Sequence, residues 1–141
     1  MVDTLTPEQR SERMSRVRDR GSKAEMVVRR LVHSLGYRYR LHVSHLPGRP
    51  DIVLAKHRKV ILVHGCFWHR HEDCRLARLP KSRLDFWVTK LQRNRERDME
   101  NTRKLKDAGW SVFVVWECET SDREKLTETV KKFLGSVHGL D

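Results

Sequence analysis

The sequence predicts an α/β domain built around a mixed sheet, and three observations lead to this fold class. A helical apolar stripe follows Ser22, two short apolar runs flank the basic turn KHRK, and the apolar run WSVFVVW follows a long helical stretch. Together they give the order helix, three strands, helix, strand, helix, which is typical of α/β domains. The length of 141 residues is enough for one domain with one modest core.

Local signals mark the first half of these elements. Ser22-x-x-Glu25 has the pattern of a capping box, which predicts a helix to about Leu35 that Gly36 closes. The segment 37–43 alternates in polarity and predicts a strand. The helix carries its apolar stripe at Val27, Val28, Leu31, Val32 and Leu35.

The second half begins after LPGRP, which predicts a turn. Residues 51–55 and 60–63 are short apolar strands, close enough in sequence to pair as a hairpin. Residues 84–108 predict a long helix, and WSVFVVW, residues 110–116, predicts a buried central strand. Ser121-x-x-Glu124 has the pattern of a second capping box and predicts the start of the final helix.

The chain is strongly basic, with 30 Lys and Arg against 19 Asp and Glu and a formal net charge of +11. Folding does not need this excess, which favours a polyanionic partner, most commonly nucleic acid. No apolar run is long enough to span a membrane, and a membrane-surface role would rest on charge alone. The start, MVDTLTPEQRSERM, lacks the apolar core of a signal peptide, which favours an intracellular protein.

Two segments of different character are predicted. Residues 1–20 form a basic N-terminal arm, and residues 21–141 form the single folded domain. Thr6 and Pro7 have the pattern of a helix start, but almost everything after them in the arm is polar and basic. The arm is either a solvated, fraying segment or one that orders on phosphates, and the sequence leaves both open.

One group of residues matches the ligands of structural zinc, which takes four Cys and His side chains. The loop HGCFWHRHEDC contains Cys66, His71 and Cys74, and Cys118 lies just past the WSVFVVW strand. If that strand lies beside the strand leading into the loop, Cys118 reaches the loop and every cysteine is used. The alternative is that the cysteines are core residues or free thiols of a reducing compartment.

A second group has the residue types of hydrolytic chemistry. Asp51 begins one strand of the hairpin, His64 ends the next, and His69 lies in the loop. An acid and histidines at one sheet edge indicate Mg²⁺-assisted phosphodiester cleavage, because a carboxylate holds the hard cation and a neutral imidazole takes a proton from water. The alternatives are that Asp51 is a turn residue and that a histidine there is only hydrogen-bonded.

Aromatic residues form a third group. Phe67 and Trp68 are adjacent in a polar loop, so both cannot point into the same core. In a basic protein an exposed pair indicates stacking on bases or wedging between them. Buried packing of one of them is the alternative, as is a core position on the helix for Trp87.

Four blocks of the sequence resemble the very-short-patch-repair (Vsr) DNA mismatch endonucleases of bacteria: LPGRPDIV, VILVHGCFWHRHEDC, FWVTKLQRNRERD and GWSVFVVWEC. The resemblance extends over about residues 10–133. It implies a restriction-endonuclease-like αβββαβ core with a mixed central sheet, helices on both faces and a zinc-stabilised loop. It also implies a nick in one strand 5′ of the thymine in a T:G mismatch, which arises when 5-methylcytosine deaminates.

The resemblance further implies roles for individual residues. Asp51 and the backbone carbonyl of Val63 would bind catalytic Mg²⁺, His69 would be the general base, His64 would act on the phosphate and Asp98 would orient a histidine. Glu25 would sit near the site. The structural zinc ligands would be Cys66, His71, Cys74 and Cys118, and the residues entering the base stack would be Phe67, Trp68 and Trp87.

The implied partners are double-stranded DNA with a T:G mismatch, mismatch-repair proteins and a cognate cytosine methyltransferase. The protein would be a monomer of the bacterial cytoplasm, associated with the nucleoid when it acts. The alternatives are a related nuclease of different site or mismatch specificity and a zinc-stabilised DNA-binding module with a silent nuclease site. The intact set Asp51, His64 and His69 argues against a silent site. VILVH, with histidine where restriction-type nucleases carry lysine, argues against a generic restriction enzyme.

Overall fold

The computed structural model describes residues 22–135, which fold in the predicted order helix, three strands, helix, strand, helix. None of the helices in this range is long and apolar enough to cross a membrane. The predicted basic arm, residues 1–20, with its helix start at Thr6 and Pro7, lies outside the described residues. The elements are α1 (Lys23–Ser34), β1 (Arg40–Leu41), β2 (Ile52–Leu54), β3 (Lys59–His64), α2 (Leu84–Asp107), β4 (Ser111–Trp116) and α3 (Arg123–Gly135).

The four strands form one mixed sheet in the order β1-β2-β3-β4. The first two pairings are antiparallel, which confirms the predicted hairpin, and β3 and β4 are parallel. The prediction that WSVFVVW is a central strand is wrong, because in the described part of the chain β4 lies at the edge of the sheet. The apolar run of β4 reflects helices packed against both faces of the sheet. Such packing does not require a hydrogen-bonded strand on both sides of β4.

Helices cover both faces of this sheet. On one face, Val28 of α1 and Val130 of α3 pack with Ile61 and Val115 of the sheet. On the other face, Leu105 of α2 packs with Val60, and Trp110 joins this cluster. The chain therefore folds as a layered α/β structure whose core is divided by the sheet.

Two strands differ from their predicted bounds for identifiable reasons. Residues 37–43 were expected to form one strand, but only Arg40–Leu41 pairs, because His42 has a φ of +49° and leaves the extended region. Lys59 was expected in the basic turn but is the first residue of β3 and is buried. Its Nζ donates to the carbonyls of Phe133 (2.6 Å) and Leu134 (3.2 Å) near the end of α3, where a cation is favourable.

The helix caps confirm one prediction and correct another. The Ser22 hydroxyl accepts from the Glu25 backbone N–H at 3.1 Å, as the first capping box requires. For α3 the predicted cap is wrong: the Asp122 carboxylate accepts from the Lys125 N–H at 3.1 Å, while the Ser121 hydroxyl donates to the carbonyl of Cys118. Ser121 is occupied because Glu117–Ser121 forms a short 3-10 turn before the helix.

Candidate active site

The sheet brings the predicted catalytic side chains to one cavity. Asp51 immediately precedes β2, His64 ends β3, and the loop after β3 carries His69. Asp98 approaches from α2, which crosses the same face of the sheet. The residues that line the cavity include His42, Gly48, Asp51, Val63, His64, His69, Asn94 and Asp98.

Asp51 occupies the buried end of the cavity. Its Oδ2 accepts a hydrogen bond of 2.8 Å from the backbone N–H of Val63. Burial raises the pKa of Asp51 to about 6, the Val63 hydrogen bond opposes this rise, and the neighbouring Glu25 adds to it. A cation bound beside Asp51 would favour the ionised carboxylate. Val63 contacts Asp51 through its amide, and the role of its carbonyl as a metal ligand stays a prediction.

Glu25 of α1 also lies close to Asp51. His42, which the sequence did not single out, lies against both acids. The Glu25 side chain is 3% exposed, and its Oε1 lies 2.8 Å from Nε2 of His42. His42 Nε2 lies 3.9 Å from Asp51 Oδ1, and one ligand atom from each of the three residues falls within 4.8 Å of the others. The only signal for His42 in the sequence is a histidine between Leu41 and Val43, just before the turn that leads to Asp51.

His64 and His69, the two histidines predicted to be catalytic, form a stacked pair. Their ring centroids are 4.0 Å apart with an interplanar angle of 7°. His69 Nδ1 makes a short hydrogen bond to Asp98 Oδ2. Because an ionised carboxylate only accepts, Nδ1 carries the proton and Nε2 keeps a lone pair when the ring is neutral. Burial, followed by the charge of His69, lowers the pKa of His64 to about 4, so His64 is neutral at pH 7.

The predicted zinc ligands converge in three dimensions. Cys66, His71, Cys74 and Cys118 each offer one ligand atom, and these atoms all lie within 4.8 Å of one another. The parallel pairing of β3 and β4 brings Cys118 to the loop: its Sγ lies 3.5 Å from His71 Nδ1, and its backbone N–H donates to Cys66 Sγ. Ligand atoms around tetrahedral zinc lie roughly 3.3–3.8 Å apart for bonds of 2.0–2.3 Å. Three thiols and one imidazole fit zinc in donor chemistry, and the 3.5 Å between Cys118 Sγ and His71 Nδ1 falls within this range.

The aromatic residues of the loop and of α2 form one cluster. The ring centroids of Phe67, Trp68 and Trp87 are 5.2, 5.5 and 6.0 Å apart, all edge to face. Trp68 is buried at 9% exposure, which matches the alternative that one member of the pair is packed, while Phe67 is half-buried. Phe86, which the sequence did not single out, is 44% exposed and contacts Trp87 at 5.2 Å. The insertion of these side chains into DNA stays a prediction.

Trp116 joins the Cys and His cluster to the stacked histidines. Its ring stacks on His71 at 4.2 Å and meets His64 edge to face at 5.2 Å. The contact between Trp116 and His64 follows from the register of β3 and β4, in which these two residues pair. The loop ligands and the cavity are therefore parts of one packed arrangement.

Comparisons with known proteins identify a family of DNA endonucleases. The sequence model of the family described as DNA mismatch endonuclease Vsr matches residues 2–76. The DNA mismatch endonuclease Vsr of Escherichia coli K12 is 40% identical over 128 residues, which cover 91% of this chain and 81% of the relative. The type II nicking enzyme V.XorIIP of Xanthomonas oryzae pv. oryzae is 49% identical over 134 residues, 95% of this chain and 98% of the relative.

A third relative extends the likeness over nearly the whole chain. The type II nicking enzyme V.NmeAIP of Neisseria meningitidis serogroup A is 39% identical over 141 residues, 97% of this chain and 100% of the relative. The chain is thus similar to these relatives over nearly its full length. In its structure, Asp51, His64 and His69 line one cavity. The chain is therefore a DNA endonuclease and belongs to the Vsr DNA mismatch endonuclease family.

Proposed function

We propose that this protein nicks one DNA strand 5′ of the thymine in a T:G mismatch left by deamination of 5-methylcytosine. The observation that carries the proposal is the cavity in which Asp51, His64 and the His69–Asp98 pair face one another. The name of the Escherichia coli relative, a DNA mismatch endonuclease, supports the mismatch as target. The order of the elements and the mixed sheet support a restriction-endonuclease-like core.

Asp51 and the Val63 carbonyl would hold the catalytic Mg²⁺. The fit rests on a half-buried carboxylate that has one oxygen, Oδ2, committed to the Val63 N–H. Magnesium prefers hard oxygen ligands and keeps several waters, so one or two protein oxygens are enough. When bound, the ion supplies positive charge that neutralises the scissile phosphate.

The proton chemistry falls to the stacked histidines. Asp98 holds the Nδ1 proton of His69, so Nε2 of His69 is free to accept a proton from the attacking water. Asp98 also stabilises the imidazolium that results. His64 is neutral at pH 7 and has one N–H that can donate a hydrogen bond to a phosphate oxygen.

A structural zinc ion would hold the loop in which these groups sit. Cys66, His71 and Cys74 bracket His69, and Cys118 ties the loop to the end of β4. The loop contributes little apolar core of its own, so metal binding would supply much of the energy that orders it. His69 would then be placed by the zinc loop rather than by a regular element.

The aromatic cluster would recognise the mismatch by wedging beside it. A T:G pair stacks less well than a matched pair, so opening the stack there costs less. Phe67 is half-buried at the surface of the cluster, and Lys90 Nζ lies 5.7 Å from the Trp68 ring. Phe67→Ala and Trp68→Ala should lose preference for mismatched DNA more than binding to matched DNA. Equal loss on both substrates would exclude the wedge.

We also propose a cytoplasmic monomer that acts on the nucleoid. Nicking one strand needs only one active site, which favours a monomer. A cognate cytosine methyltransferase would generate the substrate, and mismatch-repair proteins would work on the same lesions. The net charge of +11 would supply phosphate affinity and a steep dependence of binding on salt.

A nicking assay tests the proposed function. End-labelled duplexes would carry a T:G mismatch in varied sequence contexts, with matched duplexes, EDTA and Asp51→Ala as controls. We expect a Mg²⁺-dependent cut beside the mismatched thymine that Asp51→Ala abolishes. Cutting of another mismatch or of matched sites would indicate a nuclease of different specificity. Tight binding without cutting in any context would indicate the silent DNA-binding module.

A further inference from the structure

Two carboxylates, one buried and one half-buried, meet beside the cavity. Glu25 comes from α1 and is 3% exposed, and Asp51 comes from the turn before β2 and is 23% exposed. Two carboxylates this close repel each other when both are ionised. Arg29 Nη1, one turn along the same helix, lies 3.6 Å from Glu25 Oε2. A partner that donates a hydrogen bond to Glu25 reduces this repulsion.

His42 is in position to be that partner. Its Nε2 lies 2.8 Å from Glu25 Oε1 and 3.9 Å from Asp51 Oδ1, so the ring sits against both carboxylates. The ring is only 12% exposed. Since a carboxylate accepts and does not donate, Nε2 carries the proton of this bond.

The backbone fixes His42 beside Asp51. The His42 N–H donates to the Asp51 carbonyl at 3.2 Å, directly after the last pair of β1 and β2. The φ of His42 is +49°, a left-handed conformation that non-glycine residues seldom adopt. Conformations of this kind persist where the surrounding structure over-determines them, often at functional sites.

We propose that His42 is a positioning residue of the metal site, whose Nε2–H holds the Glu25 carboxylate against Asp51 so that both acids serve the cation. This inference rests on the proposed metal-dependent nicking and assigns a residue to it. His42 acts through Glu25 and does not contact the scissile phosphate. Its loss should therefore weaken cation binding while the affinity for DNA is retained.

The test compares four variants in zinc-loaded full-length protein. His42→Ala removes the donor, and His42→Gln restores an N–H at similar reach. His45→Ala, an exposed histidine of the same loop, is the matched control, and Asp51→Asn marks loss of the site. Binding of Mn²⁺ as a probe is followed by electron paramagnetic resonance without DNA. Nicking is then measured against Mg²⁺ concentration, with KM for DNA determined separately.

We expect His42→Ala to weaken Mn²⁺ binding by roughly 10- to 100-fold, as loss of a hydrogen bond to a metal-site carboxylate does elsewhere. The Mg²⁺ concentration for half-maximal nicking should rise with it, KM for DNA should not change, and His42→Gln should recover most of the loss. Wild-type Mn²⁺ affinity in His42→Ala, or a His42→Gln variant as weak as His42→Ala, would overturn the inference. If His42→Ala does not fold, His42→Gln decides.

The binding measurement separates this inference from the proposed function. Mn²⁺ binding that depends on His42 and Asp51, in a wild-type protein that cuts no T:G duplex, would remove the proposed function and retain the positioning role. If the wild-type protein nicks T:G duplexes but Mn²⁺ binding is unchanged in His42→Ala, the proposed function would be retained and the positioning role removed.

Discussion

Asp98→Ala removes the hydrogen bond between Asp98 Oδ2 and His69 Nδ1 and leaves every other group of the cavity in place. A hydrogen bond to a charged group contributes about 1.5–3 kcal/mol. Because 1.36 kcal/mol corresponds to a factor of ten in rate, kcat should fall by roughly tenfold to 150-fold. The two side chains are 22% and 24% exposed, and solvent screening favours the lower half of this range.

The effects of losing Asp98 and His69 should not multiply. Removal of a general base costs about 10²- to 10⁴-fold, so His69→Ala should be worse than Asp98→Ala. If Asp98 acts only through His69, the double variant should be no slower than His69→Ala alone. The assay is single-turnover nicking of a T:G duplex, with Glu96→Ala, an exposed acid on the same helix, as control. A wild-type nicking rate in Asp98→Ala would refute this role of Asp98. So would a double variant whose loss of rate equals the product of the two single losses.

Three further changes test the rest of the account. Cys118→Ser should lower the zinc content measured by atomic absorption and lower Tm; a wild-type protein purified without zinc would contradict the metal site. Lys59→Met removes the donor to the Phe133 and Leu134 carbonyls, so urea unfolding should show a loss of about 2 kcal/mol, and an unchanged midpoint would contradict this role. Gly48 has a φ of +73°, and an added Cβ would lie 2.9 Å from Asn101 Cβ. Gly48→Ala should therefore cost about 1–3 kcal/mol of stability and slow nicking, whereas a variant as stable and active as the wild type would argue against a tight turn there.

Much of the fold could be predicted because its elements have local signals. The Ser22 cap, the long helix and the hairpin follow from capping, periodicity and turn chemistry. The edge position of β4 could not be predicted, since an apolar run reports cover on its two faces and carries no information about hydrogen-bonding neighbours. The short β1 has a similar cause: the alternation of residues 37–43 continues past His42, but its left-handed backbone ends the pairing.

The part of the candidate site that lies at the ends of neighbouring strands could be predicted from the sequence. Asp51, His64 and Cys118 lie at strand ends that the hairpin and the parallel pairing bring together. His42 and Trp116 could not be found in this way. The place of His42 depends on a backbone turn with no glycine to mark it, and the place of Trp116 depends on its register with His64.

The most direct test of the central claim is the single-turnover rate of nicking on two duplexes that differ only at one base pair. One duplex carries T:G and the other C:G, and the cut is mapped to the nucleotide in Mg²⁺. We predict a single cut 5′ of the mismatched thymine, absent from the C:G duplex and absent in Asp51→Ala. Equal rates on the two duplexes, or a cut unaffected by Asp51→Ala, would contradict it.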